Sequence, residues 1–185
     1  MSLTPEKIIA NTKKYFATTI KLNVMNDELM NFLGENFIKA PASHMKDYNN
    51  AFEGGLIEHL LKVTSYAVLI NKSLPEDEQV DHDSLVRVCL LHQIGKTNVY
   101  KPCTSEWHRT NQGKMYEFNE DLISMRVSER SIYYAMSHGI ELTETEYSAI
   151  INSDKSDDKM SELHNSMLGD LLKMGSILAI KNEKK

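Results

Sequence analysis

The sequence predicts an all-α protein, mainly a helical bundle, with one small β-hairpin around residues 98–118. Three observations predict this. Turn formers are scarce, with eight glycines and four prolines in 185 residues, which disfavours a turn-rich all-β fold. Apolar residues recur at helical rather than alternating spacing along most of the chain. Helix-start residues stand ahead of most of those stretches.

Taken in order, Thr4 and Pro5 form an N-cap followed by proline at the first helical position, opening a helix to about residue 17. Asn26 caps a second helix whose Leu29, Met30, Leu33 and Phe37 fall on one face. Pro41 and the polar run 43–50 make a loop. Gly54 and Gly55 open a long helix over 56–72, with Leu56, Leu60, Val63, Ala67 and Ile70 among its apolar positions. After a polar connection through Pro75, Asp83 or Ser84 caps a helix that carries Val86, Leu90 and Leu91 and ends near Gly95. The period then changes. Val99-Tyr100-Lys101 and Met115-Tyr116-Glu117-Phe118 read as two short strands, with 104–114 as their polar loop. Ser128 caps a helix over 132–136, and Thr143 with Glu146 makes a capping box. Residues 153–159 form a polar connection, and a last helix spans roughly 161–180.

Composition narrows the function. Hydrophobic residues at 41% and charged residues at 25% are an ordinary globular balance, which argues against wholesale disorder. The formal net charge of -5 opposes broad phosphate neutralisation, so duplex nucleic acid is not an expected partner. No run approaches the ~18 apolar residues of a spanning helix, and the amino terminus has no signal-peptide pattern. Neither a membrane partner nor secretion is expected. Cys89 and Cys103 form neither a disulfide framework nor zinc spacing, which fits a reducing, cytoplasmic setting.

Two of the seven histidines attract chemistry. His59 lies in the first turns of the long helix, within Gly54-Gly55-Leu56-Ile57-Glu58-His59. His92 ends an apolar helix, within Leu90-Leu91-His92-Gln93-Ile94-Gly95-Lys96. A histidine after an apolar run needs either a metal or a hydrogen-bond partner.

These segments resemble the HD superfamily of metal-dependent phosphohydrolases, in which one helix supplies a histidine, a later one an adjacent His-Asp pair, and a distant carboxy-terminal helix a final aspartate. His59 matches the first histidine, and Leu90 to Lys96 match the family's LLHDIGK with one change. Pro41-Ala42-Ser43 and the run from Tyr48 to Leu56 resemble a subgroup of small HD proteins, many of them carried by phages, and the HD portion of certain exoribonucleases. The resemblance implies one HD-like domain over 1–185, with helices to residue 38 packing on a core of about 39–180.

The departures are as informative. Gln93 stands where the family has aspartate; it offers a carbonyl oxygen without the negative charge, and it cannot bridge two metals as a carboxylate does. Asn49 replaces a family histidine, and Arg126-Val127 and Asn152-Ser153 replace two further histidine positions. The final aspartate is matched by Asp170 in one register, while a register five residues later places Gly175 there. The resemblance therefore implies a divalent metal (Mn, Zn, Ni, Fe or Mg) on His59, His92 and Asp170, weakened by Gln93, or no metal at all. Three firm ligands are the usual minimum for a catalytic zinc.

Lys96 and Gln93 are the implied catalytic positions, and Lys96, Asn49 and Trp107 the implied substrate contacts. Lys96 would neutralise a phosphate, or else close the helix carboxy terminus. Trp107, beside His108 and Arg109, is of the kind that stacks on a base. The implied function is an HD-type phosphohydrolase-like protein that acts on or binds a nucleotide, a phosphodiester or another small phosphorylated molecule, with hydrolysis impaired or absent. The alternative is a non-catalytic HD-fold binding or interaction module. The first two helices are candidates for a homodimer contact.

Overall fold

The computed structural model describes residues 3–155 and 165–184. It is mostly helical, with one two-stranded antiparallel hairpin, as the sequence predicts. The described helices are α1 (Pro5–Lys21), α2 (Asp27–Lys39), α3 (Gly55–Ser73), α4 (His82–Leu91), α5 (Glu106–Gln112), α6 (Val127–Ser137), α7 (Glu144–Ile151) and α8 (Met167–Glu183). Short 3-10 turns occupy Glu76–Glu78 and Ile94–Lys96. Strands β1 (Tyr100–Pro102) and β2 (Tyr116–Phe118) pair with Tyr100 opposite Phe118. No described helix is long and apolar enough to cross a membrane.

The centre of the bundle is α3, packed against α4 and α8. Its Leu56, Leu60, Val63 and Ala67 are sealed from solvent, as their spacing predicts. From α8 come Leu168, Leu171, Leu172 and Ala179. Gly175 lets the two helices approach closely: a Cβ there would sit 2.8 Å from the Val63 carbonyl oxygen. The amino-terminal helices belong to the same core, since buried Tyr15 donates its hydroxyl to Leu90 O at 2.9 Å and lies against Phe37.

Glycines also shape the entry to α3. Gly54 has φ +78, and a Cβ on Gly55 would stand 2.1 Å from Asn50 O, so the loop before α3 folds directly onto its first turn. At the other side of the site, a Cβ on Gly95 would meet Val127 O at 2.6 Å and Ser131 N at 2.8 Å. The turn after α4 thus lies hard against α6, and the Ser131 hydroxyl accepts from Gly95 N while donating toward His92 O.

Several local expectations are corrected. The 104–114 loop contains helix α5, because Ser105 caps it through its hydroxyl to His108 N and Gly113, at φ +65, terminates it. Asp81 rather than Asp83 or Ser84 caps α4, accepting from Ser84 N at 2.8 Å. Helix α6 begins at Val127, so Ser128 lies inside it; its backbone and hydroxyl instead donate to Asp154. The last helix is described over Met167–Glu183, and the expectations for 156–164, His164 among them, fall outside the described residues.

Candidate functional site

The expected histidines do meet. His59 comes from the second turn of α3 and His92 from the end of α4; their ring centroids are 6.4 Å apart, and the residues are 0% and 2% exposed. Each ring is fixed through Nδ1. His92 Nδ1 lies 2.8 Å from the Cys89 carbonyl oxygen, and His59 Nδ1 lies 2.8 Å from Glu183 Oε2. A carbonyl only accepts, so His92 Nδ1 carries the proton and donates it. His59 is likewise arranged to donate to the Glu183 carboxylate.

Both imidazoles are held neutral. Burial drives the His92 pKa down to about 3, and the neighbouring His59 and Lys96 push the same way. Burial also lowers His59, outweighing the opposing pull of Glu183, with Lys96 and Lys62 adding to the fall. In each ring Nε2 is then the lone-pair nitrogen, and in each ring Nε2 is buried without a protein hydrogen-bond partner. Gln93 Oε1 and Glu183 Oε1 are also buried and unpartnered. Four buried acceptor atoms therefore lack protein donors, which costs roughly 1–3 kcal/mol per group unless water or a ligand supplies them.

Lys96 closes this neighbourhood. Its Nζ donates to Ala42 O at 2.7 Å. Burial brings its pKa down to about 8, while Glu183 and Asp154 favour the charged form. It is a cation at neutral pH, held among two carboxylates and two neutral imidazoles.

Asp170 is not at the histidines. It lies in the first turn of α8, accepting from Asn165 Nδ2 at 2.7 Å. At 1.5 Å rise per residue it is about 20 Å along the helix from Glu183. Gly175, the other register, packs on α3 instead. The carboxylate at His59 is Glu183, which no motif pointed to. A signal existed: Leu168, Leu171, Leu172, Gly175 and Ala179 form the buried stripe of α8, and Glu183 continues it in phase. Asp154 was missed because only its pairing with Ser128 brings it in.

Among the described residues no three His, Cys, Asp or Glu side chains are grouped to hold a metal ion. The unpartnered imidazole nitrogens suit a divalent cation in chemistry, with Glu183 Oε1 and Gln93 Oε1 as further oxygens. The set is short of the three firm ligands of a catalytic zinc, and no hydrolytic step is derived through a metal.

Beside the pair lies a cavity of about 800 Å³. Glu183 lines it, whereas His59, His92, Gln93 and Lys96 do not. Trp107 also lies outside it, 59% exposed and packed edge-on to His108; Arg109, two residues on, is in its wall. Asn49 is buried, with its carbonyl accepting from the Ser43 hydroxyl at 2.7 Å, and the neighbouring Asn50 reaches the cavity. No family model, no curated protein and no solved structure matches the chain.

Proposed function

We propose that this is an HD-superfamily phosphohydrolase-like protein of the cytoplasm that binds a small phosphorylated molecule, a nucleotide or a phosphodiester, and whose hydrolysis is impaired or absent. One observation carries this reading. Two sealed imidazoles, each with Nδ1 engaged and Nε2 without a protein partner, stand near the cation of Lys96, and Gln93, next to His92 in the chain, has an unpartnered Oε1 as well. A stable fold has little reason to keep unpaired acceptors next to a buried ammonium unless a ligand completes them.

The roles follow from the chemistry. Lys96 neutralises the phosphate, and His59 and His92 accept hydrogen bonds through Nε2 or hold a divalent cation. Such a cation, when bound, would polarise a phosphoryl oxygen and acidify a water. Glu183 and Cys89 O set the ring tautomers, as outer partners of histidine ligands do. Gln93 in the acidic position favours the non-catalytic variant of this reading, a binding module that keeps the pocket.

The test is to load the protein with manganese, zinc or nickel, measure bound metal, and assay a phosphodiester and a nucleotide panel. Nucleotide binding with little or no turnover, weakened by His92→Ala and by Lys96→Met, is the expected result. Metal-dependent hydrolysis by the parent, abolished by His92→Ala, would overturn the impaired-hydrolysis reading.

A further inference from the structure

The cavity beside the histidine pair has a composition of its own. Lys46, Lys62 and Arg109 reach it from three separate parts of the chain, namely the loop before α3, α3 itself and α5. Among the described residues none of the three forms an ion pair. Two acidic residues, Glu58 and Glu183, line the same space. Glu58 is engaged by the Asn11 amide. Glu183 is different: its side chain is 1% exposed, Oε2 is used by His59, and Oε1 is buried without a partner. Tyr48 and Phe52 contribute aromatic wall.

From this we infer that the cavity is a second ligand site, bordering the histidine pair at Glu183, and that it takes a small organic phosphate with a flat, apolar body. The phosphate lies among Lys46, Lys62 and Arg109, where three unpaired cations face one anion. A flat, apolar body packs on Tyr48 and Phe52. The volume suits a ligand the size of a nucleoside phosphate. Because none of His59, His92, Gln93 and Lys96 lines the cavity, a molecule there is bound without touching the motif residues. Such a site serves recognition rather than hydrolysis.

The inference rests on the phosphate-ligand reading above, and one titration series separates the two. The full chain is titrated calorimetrically with the four nucleoside 5′-monophosphates, with ribose 5-phosphate, and with adenosine and inorganic phosphate alone. At least one monophosphate is expected to bind saturably, with a phase that His92→Ala and Lys96→Met leave in place, and adenosine or inorganic phosphate at least tenfold more weakly. Lys62→Gln and Arg109→Gln are each expected to weaken binding about tenfold, with Lys13→Gln on the exposed face of α1 as the unaffected control. Binding that survives Lys62→Gln and Arg109→Gln but is lost in Lys96→Met and His92→Ala would overturn the cavity site and leave the histidine-site reading standing. No saturable binding of any monophosphate would overturn both.

Discussion

Glu183 Oε2 lies 2.8 Å from His59 Nδ1, across 124 residues of sequence, with the two side chains 1% and 0% exposed. Burial keeps His59 neutral despite the carboxylate. The contact is therefore a hydrogen bond from a neutral imidazole, not a salt bridge. Its consequence is positional: the proton is held at Nδ1 and the lone pair at Nε2.

Removing that acceptor strands a buried N–H. Glu183→Ala is expected to cost about 2 kcal/mol of stability, in the range for an unsatisfied buried donor. Glu183→Gln, whose amide oxygen still accepts, is expected to cost about half as much. Urea denaturation of the two variants measures the difference, and equal losses would contradict the hydrogen-bonded role.

The histidines also make stability depend on pH in one direction. His92 titrates near 6.5 when unfolded and near 3 when folded, so between those values the unfolded chain binds more protons. Stability from this group is complete above pH 6.5 and is lost as pH falls toward 3. Between pH 7.5 and 5.5 the loss from His92 is about 1.4 kcal/mol, and His59, also lowered, adds in the same sense. Denaturation of metal-free protein at the two pH values checks this. His92→Asn is expected to flatten the slope, and an unchanged slope would rule out His92 as its source.

Lys96 acts in a different window. Its folded value of about 8 lies below the ordinary 10.5. The unfolded chain again binds the extra proton, so stability is expected to rise as pH climbs from about 8 to about 10.5. Lys96→Met, which has no charge to bury, is expected to lose that rise while the wild type shows it.

Gln93→Asp restores a carboxylate beside His92. A third anionic or imidazole ligand raises a cation's affinity, here by an expected tenfold or more, about 1.4 kcal/mol. Calorimetric titration with manganese or nickel reads the change. If the variant and the parent bind metal equally, position 93 does not face the ion.

The turn after α4 depends on a bare backbone. In Gly95→Ala the new methyl would meet Val127 O at 2.6 Å and Ser131 N at 2.8 Å, both on the rigid first turns of α6. Overpacking of this kind costs about 1–3 kcal/mol. A thermal midpoint within a degree of the parent's would show that α6 moves aside freely.

Much of the architecture was legible locally. The caps at Thr4, Asn26 and Thr143 are where the sequence places them. The buried face of α3 follows its apolar spacing, and His59 and His92 stand on the expected helices. These are short-range properties, since a cap acts within one turn and a helical face repeats every few residues. Helix α5 escaped because seven residues without a buried side chain leave no apolar period to read.

By itself, then, the sequence determined the longer helices, the hairpin and the two histidines that face the interior. Only the tertiary structure decided which carboxylate meets His59. That choice depends on how far α8 slides along α3 before Gly175 seats against Val63, and this long-range register brings Glu183 to the site and leaves Asp170 at the far end of its helix.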